Sequence, residues 1–342
     1  MILLRLIAAL GVIFVSMHFT APGVYYVLAM RWLRTYELQH RVIELGADPP
    51  FVSIIVPTYN EARVIAQKLD NIYSQDYPRD RVEVIVVDSG STDGTVELVR
   101  EWVKDHGDIN VRIIEEGVRR GKAHALNTAL KHAKGDIVVI TDVDSIWMSD
   151  SLRNAVSWLM NNDVGAVSCN KVPRTDNDIE SEYRDYYGIL RIAESRRFST
   201  AIFHGELAAY KRELLERIGG FPTDIGADDS HTAGLISMMG YRAIIPEDVR
   251  CIEYVPNRGY WSWRVRRAQH LIQHFSRILR YMVFNGRSTP REYRQVMLYE
   301  SYLHLINPWL FAVGLALIVV SALHGSLISM ALLLVGLALL AI

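Results

Sequence analysis

Two stretches of this chain are nearly free of charge, and they limit what the rest can be. From Leu6 to Met30 only His18 has a side chain that carries charge near neutral pH, and from Ile306 to Ile342 only His324. A helix of roughly 20 apolar residues spans a hydrocarbon layer, so the first stretch is long enough to cross once and the second twice. The 342-residue chain is 50% hydrophobic and can bury a full-sized core with apolar material left over. That surplus lies at the ends. The expected organisation is an N-terminal transmembrane anchor over residues 1–32, a globular α/β domain over 48–255, amphipathic interfacial helices over 256–300 and a C-terminal transmembrane hairpin over 301–342. The hairpin would turn at His324-Gly325-Ser326.

Arg5 ahead of an apolar run would also suit a cleaved signal peptide. The run is long, lacks an A-x-A site and leads into Arg31 and Arg34, which favours a retained anchor. Those arginines, with the arginine-rich stretch ahead of Ile306, place the globular part on the cytoplasmic face of a cell membrane that the chain crosses more than once. Cys169 and Cys251 offer no metal-ligand spacing and are expected as core residues of a protein in a reducing compartment. A formal net charge of −1 supplies no global field for nucleic acid, so no such partner is expected. The sequence contains no internal repeat and no low-complexity tract.

Between the ends the pattern alternates. Val52 to Val56 is a short apolar run, followed by Pro57-Thr58-Tyr59-Asn60-Glu61 and then Val64, Ile65, Leu69 and Ile72 at helix spacing. Val82 to Val87 runs into Asp88-Ser89-Gly90-Ser91-Thr92-Asp93 and a helix through Val96 and Val99. Val111 to Ile114 leads to Arg119-Arg120-Gly121-Lys122 and a helix through Ala125 and Leu130, and Ile137 to Ile140 ends in Asp142 and Asp144. Strand, loop and helix thus recur four times, which predicts a parallel α/β sheet covered on both faces. Ligands of such sheets bind beyond the carboxyl ends of the strands. The four polar clusters would then converge on one edge.

The last cluster carries a D-x-D pattern. Period-2 geometry would aim both carboxylates one way and Val143 back into the core. Two carboxylates at a strand end suit Mg2+ or Mn2+, which complete their shells with water and substrate phosphates. A chain of this length carries about one such spacing by chance, and Asp176-Asn177-Asp178 repeats it where nothing in the sequence marks a strand end. On the pair alone, a metal site and a solvated strand end capping the next helix both stand. The neighbouring loops add Asp88, followed by small and hydroxyl residues whose backbone N–H groups would approach a ligand. They also add Lys122, behind a glycine at a helix start and suited to phosphate. Together the loops offer what a nucleoside diphosphate needs.

The succession SIIVPTYNEARVI, VIVVDSGSTDGT, RRGKAHALNTAL and GDIVVITDVDS resembles the donor-binding half of family 2 glycosyltransferases. These are inverting GT-A enzymes that include cellulose, hyaluronan and chitin synthases and polyprenyl-phosphate sugar synthases. FHGELAAYKRELLERIGGF resembles the family's acceptor-side segment ending in I-G-G-F, and GADDSHTAG resembles its T/E-E-D element. The similarity covers about residues 50–270. It implies a GT-A nucleotide-sugar-binding domain with a mostly parallel sheet over 48–255, beside an interfacial helix and about three transmembrane helices. Carried over residue by residue, it implies Pro57, Tyr59 and Glu61 around the base or ribose, with Asp88 hydrogen-bonding the base. Lys122 would face the diphosphate, Asp142 the ribose side, and Asp144 a Mn2+ or Mg2+ ion. Asp229 matches the catalytic base, while Asp228, His204 and Gly205 fall at the diphosphate or acceptor end.

The chemistry explains the residue types. An acceptor hydroxyl is a poor nucleophile, so a carboxylate must take its proton as it attacks the anomeric carbon. The leaving nucleoside diphosphate develops negative charge, which a metal, Lys122 and an arginine would meet. One displacement turns an α-linked donor into a β-linked product. Asp228 and Asp229 would also suit a helix N-terminus, where the dipole favours acidic residues.

Two features depart from the processive synthases. Their Q-x-x-R-W becomes Trp263-Arg264-Val265-Arg266-Arg267: Arg266 keeps the arginine, Trp263 replaces Gln and Arg267 replaces Trp. Phosphate neutralisation survives the change, whereas stacking on a polymer loses its tryptophan. Three crossings are also few for a polymer channel. Tyr260 to Phe284 adds apolar residues such as Trp261, Leu271, Phe275 and Ile278 alternating with Arg264, Arg267, Arg277 and Arg280, a pattern suited to the headgroup layer.

The expected activity is therefore metal-dependent transfer of one hexose from a nucleotide sugar to a lipid-linked glycan acceptor, with GDP-mannose ahead of a UDP-sugar as donor. Direct transfer to polyprenyl phosphate and processive synthesis are the alternatives. A non-catalytic nucleotide-sugar-binding scaffold predicts loss of the base or the metal ligand, and Asp229 and Asp144 are both present.

Overall fold

A computed structural model describes residues 2–38, 48–174, 178–254, 259–284 and 289–340. The chain opens with α1 (Ile2–Thr35), then alternates through β1 (Val52–Thr58), α2 (Ile65–Tyr73), β2 (Val82–Asp88), α3 (Thr95–Asp105), β3 (Asn110–Glu115), α4 (Lys122–Leu130) and β4 (Ile137–Ile140). The second half is less regular: β5 (Ile146–Trp147), α5 (Ser151–Leu159), β6 (Val164–Ser168), β7 (Asn170–Arg174), α6 (Asp178–Arg197), β8 (Ala208–Lys211), α7 (Arg212–Ile218), α8 (Asp228–Met238), β9 (Arg242–Ile244) and β10 (Arg250–Tyr254). It closes with α9 (Tyr260–Phe284), α10 (Arg291–Ser301), a π-helical turn, α11 (Asn307–Leu323) and α12 (Leu327–Leu340).

Seven strands form the main sheet in the order β3-β2-β1-β4-β8-β6-β9. β1 pairs in parallel with β2 and β4, and β2 with β3, as the repeated strand-loop-helix pattern predicts. Along β1, Ile54 and Val56 enter one apolar cluster and Ile55 another, so helices cover both faces. The sheet is not parallel throughout. β8 runs antiparallel to both β4 and β6, which makes the sheet mixed beyond its fourth strand.

A small second sheet, β5-β10-β7, stands beside it. Two sequence expectations fail here. Cys169 and Cys251 are fully buried, as core residues should be, but they are bonded to each other as a disulfide across 82 residues. They therefore give no support for a reducing compartment. The second D-x-D spacing also follows a strand end, since β7 stops at Arg174 and α6 begins at Asp178. Asp176 and Asn177 lie outside the described residues.

A third apolar cluster ties the ends of the chain to the α/β part. It joins Tyr25 and Trp32 of α1 with Leu190 of α6, Phe275 and Ile278 of α9, and Tyr293 of α10. Inside it, Tyr25 Oη donates to Glu194 Oε1 at 2.6 Å, and Arg191 bridges Glu194 and Glu300 at 2.9 and 2.6 Å. Among the described residues two helical stretches, Ile2–Thr35 and Arg291–Leu323, are long and apolar enough to cross a membrane. They pack closely: a Cβ on Gly11 would stand 2.8 Å from the Gly314 carbonyl oxygen. α12 has only 14 described residues and returns after Gly325, whose φ of +88° turns the chain there. The amphipathic α9 is only partly a surface helix. Phe275 and Ile278 are buried in the third cluster, while Trp261 and Phe284 near its ends are 75% and 78% exposed.

Candidate active site

The parallel register brings Thr58, Asp88 and Glu115 level at the carboxyl edge of the sheet. Asp88 is buried there. Its Oδ2 accepts the N–H groups of Gly90 and Ser91 at 3.0 and 2.8 Å, and its Oδ1 accepts the hydroxyls of Ser91 and Thr58 at 2.5 and 3.2 Å. Two of the N–H groups expected to face a ligand are thus turned onto Asp88 itself. The β1 and β2 loops are stitched together by Asn60 Oδ1 accepting from the Thr92 N–H (2.9 Å), Glu61 N–H donating to Thr95 Oγ1 (2.9 Å) and Ala62 N–H donating to Asp93 Oδ2 (3.0 Å). Pro57 lies half-buried near the end of β1, and the ring of Tyr59 is covered by the Arg119 guanidinium, 4.1 Å from its centroid.

At the centre of the edge, β4 stops at Ile140, so Asp142 and Asp144 lie on a turn rather than on a pleated strand. The turn is closed by Ser145, whose hydroxyl donates to the Asp142 carbonyl at 2.9 Å. Val143 is buried, as expected, and Asp144 is the more exposed of the two aspartates. Lys122 opens α4 and places Nζ 2.5 Å from Asp142 Oδ1. Asp229 sits in the first turn of α8, where Oδ1 accepts the Ser230 N–H at 2.6 Å.

These groups meet at Gly205. Its carbonyl accepts the Asp142 N–H at 3.1 Å. A Cβ there would fall 2.9 Å from Lys122 Nζ, 3.2 Å from Asp229 Oδ2 and 3.5 Å from Asp142 Oδ2. A helix start, a strand-end turn and a second helix start therefore deliver an ammonium and two carboxylates to one point. Only a residue without a side chain leaves that point open.

The electrostatics follow from crowding. Burial, and then the neighbouring Asp228 carboxylate, push Asp229 up to about 7 against the pull of Lys122. Asp228 is also raised, chiefly by burial, and its Oδ2 is buried without a hydrogen-bond partner. Burial alone would lower Lys122, but Asp142, Asp228 and Asp229 overcome it and hold the ammonium charged. Partial burial with Asp142 and Glu206 raises Asp144, and partial burial with Asp144, Asp93 and Asp142 raises Glu61. Glu61 thus belongs to the carboxylate cluster as well as to the β1 loop. Among the described residues no three His, Cys, Asp or Glu side chains cluster to hold a metal ion. The donors present, Asp144 and Asp142, fit a hard ion that takes one or two carboxylates and completes its shell with phosphate and water.

Three other sequence candidates have surroundings of their own: His204 directly precedes Gly205, while Trp263 and Arg266 lie on α9. His204 turns Nδ1 to the Cys169 carbonyl at 2.9 Å, and burial with Lys171 pushes its pKa well below the usual value, so the ring is neutral. Arg266 is exposed on α9, near His270, which also feels Asp228. Trp263 is flanked by the guanidinium groups of Arg184 and Arg267, 5.3 and 4.7 Å from its ring.

The sequence reading missed three buried ionisable residues. Lys68 projects from the apolar face of α2, is fully buried, and donates to Ser145 Oγ at 3.0 Å beneath the aspartate turn. Burial lowers it to about 7 although Asp142, Asp144 and Glu206 favour its charge. Its signal was a lysine in register with Ile65 and Ile72. Glu206 and Lys171 form a buried pair at 2.5 Å.

The family description "Glycosyl transferase family 2" matches residues 53–219, and "Glycosyl transferase family group 2" matches residues 137–342. With the GT-A sheet and the carboxylates at its edge, the chain belongs to glycosyltransferase family 2 and is a glycosyltransferase. Among solved structures it is similar to the mannosyltransferase PcManGT from Pyrobaculum calidifontis, in complex with GDP-Man and Mn2+. The two are 53% identical over 98% of this chain and 92% of that one, with a TM-score of 0.88. Among curated proteins it is 26% identical to the poly-beta-1,6-N-acetyl-D-glucosamine synthase of Staphylococcus epidermidis over 75% of this chain. It is 30% identical to glycosyltransferase AglE of Haloferax volcanii over 58% of this chain. The chain spans 63% and 66% of the lengths of these two curated relatives.

Proposed function

We propose that the protein transfers a single mannosyl unit from GDP-mannose to a lipid-linked glycan acceptor at a membrane surface, inverting the anomeric centre. The observation that carries this reading is the convergence of Lys122, Asp142 and Asp229 on Gly205. In it, the acceptor hydroxyl lies against Asp229, whose raised pKa of about 7 makes it a stronger base than an exposed aspartate. Burial, and then the like charge of Asp228, hold Asp229 in that range. Lys122, with Arg266 from α9, meets the charge growing on the departing diphosphate. Asp144 and Asp142 would hold Mn2+ or Mg2+, which supplies Lewis acidity toward the diphosphate oxygens when bound. Pro57, Tyr59 and Asp88 line the nucleotide end.

The choice of GDP-mannose rests on similarity to PcManGT, whose structure contains GDP-Man and Mn2+. We place residues 48–255 as the catalytic domain, and the apolar stretches Ile2–Thr35 and Arg291–Leu323 support multi-pass membrane attachment. Arg31 and Arg34 support a cytoplasmic orientation. Polymer synthesis is a second reading, favoured by similarity to a poly-N-acetylglucosamine synthase. The Arg184 and Arg267 guanidinium groups over the Trp263 ring weigh against an open stacking platform. The test is turnover by detergent-purified protein with GDP-mannose or UDP-sugars, with and without Mn2+, on a lipid-linked acceptor read by mass spectrometry. A single hexose increment from GDP-mannose, requiring the metal, is expected. A ladder of increments would overturn single addition, and transfer only from UDP-sugars would overturn the donor.

A further inference from the structure

Glu206 and Lys171 are buried side by side, with side chains 10% and 9% exposed, next to the glycine on which the reaction centre closes. Both are fixed from behind. The Glu206 carbonyl accepts Trp147 Nε1 at 2.7 Å, Thr141 Oγ1 at 2.8 Å and Ser145 Oγ at 3.0 Å, which locks its backbone to the Asp142–Asp144 turn. Lys171 lies on β7 opposite Cys251 of β10, beside the disulfide, and its Nζ stands 2.5 Å from Glu206 Oε1 and 3.4 Å from Glu253 Oε1. Glu206 directly follows Gly205, the glycine at which Lys122, Asp142 and Asp229 meet.

A buried ion pair is poor support for stability, because desolvating two charges offsets their attraction. A rigid carboxylate beside a rigid ammonium is, however, well suited to two adjacent hydroxyls: the carboxylate accepts from one and the ammonium donates to the other. Sites built to hydrogen-bond a substrate hydroxyl discriminate strongly against ligands that lack it.

We infer that Glu206 and Lys171 form a hydroxyl-recognition site for the hexose at the reaction centre. The inference rests on the proposed transferase reading, and it concerns the sugar rather than the nucleotide or metal. The hexose is either that of the donor or the terminal unit of the acceptor.

The test uses full-length protein and the variants Glu206→Gln and Lys171→Met. Titration calorimetry with Mn2+ compares GDP against GDP-mannose, and UDP against UDP-glucose, and turnover compares hexosyl transfer with donor hydrolysis. If the donor sugar is read, the variants lose roughly 10- to 100-fold in affinity for the nucleotide sugar while the bare nucleotide binds unchanged. If the acceptor sugar is read, both nucleotide affinities hold and the ratio of transfer to hydrolysis falls by a similar factor. Either result supports the site. Equal losses for nucleotide and nucleotide sugar, or no change in any ratio, overturn it. The double variant Glu206→Gln/Lys171→Met removes both charges at once and is measured the same way should either single change unfold the chain. A wild-type protein that binds no nucleotide at all would sink the transferase reading itself, whereas one that binds nucleotides but gains nothing from the sugar would sink only this inference.

Discussion

The proposed nucleotide loops and the proposed reaction centre occupy one edge of one sheet, yet they treat their carboxylates in opposite ways. Asp88 is buried with both oxygens satisfied by its own loop, and Asn60, Thr95 and Asp93 lock that loop to its neighbour. Around Gly205, Asp228 keeps a buried oxygen without a partner and Asp229 is driven up to about 7. The first region is a preformed cradle whose polar groups are satisfied in the folded chain. The second is held in an unfavourable state by surrounding structure, which is where perturbed groups gather in catalytic sites. On the proposed reading, one region binds and the other reacts.

The sharpest way to break that contrast is Asp229→Asn. Removing the proposed base should lower kcat for transfer by about 100- to 10,000-fold while leaving nucleotide affinity near that of the parent. A loss of nucleotide binding of the same size would mean that the two regions are not separable. Gly205→Ala asks the same question of shape. Its new methyl would stand 2.9 Å from Lys122 Nζ and 3.2 Å from Asp229 Oδ2, both ends of movable side chains. They can retreat, so the fold should survive, but displacement by a few tenths of an ångström should cost about 10- to 100-fold in kcat. An alanine variant with full activity would show that Gly205 is not the meeting point.

The two regions also differ in how far they could be read from sequence. β1 to β4 announce themselves because a strand buried on both faces must be apolar along its whole length, and each is followed by its own polar loop. Asp88, Lys122, Asp142 and Asp144 were found through those loops. Beyond β4 the strands shorten to two to five residues, and their partners lie far along the chain. β8 inserts between β4 and β6 through contacts that no local pattern records. The Cys169–Cys251 bond joins residues 82 apart, so spacing could not propose it. Asp228 and Asp229 were visible only through family resemblance. Glu206 and Lys171 were invisible and Lys68 left only its register with Ile65 and Ile72, because their burial is created by residues from other elements, such as Trp147 beneath the Lys68 ammonium.

A smaller effect sharpens the contrast through pH. Asp229 must be ionised to accept a proton, so kcat/KM should rise with pH and level off above about 7. Because Asp228 is among the causes of the upward shift, Asp228→Asn should move the inflection to lower pH, read from a pH–rate profile. The linked stability has the opposite slope. The folded-state pKa lies above the ordinary value of 3.8, so between those pH values the folded chain binds more protons than the unfolded one. The contribution of Asp229 is therefore present at low pH and lost as pH rises through about 7, and Asp229→Asn should flatten that part of the stability curve.

The smallest effect comes from Lys68, which lies beneath the aspartate turn against Ser145 and Trp147. Its folded pKa of about 7 lies below the ordinary value of 10.5, so the unfolded chain binds the extra proton between them, and stability should rise with pH across that window. At neutral pH the burial of a group that favours charge in water is still a cost. Lys68→Met keeps the volume and the packing on Trp147, and removes the charge. Replacement of a buried charge by an apolar side chain of similar size is often neutral or stabilising, so thermal denaturation should show a gain of about 1 kcal/mol, or a few degrees. Activity should then fall or hold independently of stability, because the lysine reaches the site only through Ser145 and the field it places under Asp142 and Asp144. If Lys68→Met instead unfolds the protein, the ammonium is needed to balance those aspartates even in the absence of substrate, and the reactive region extends down to α2.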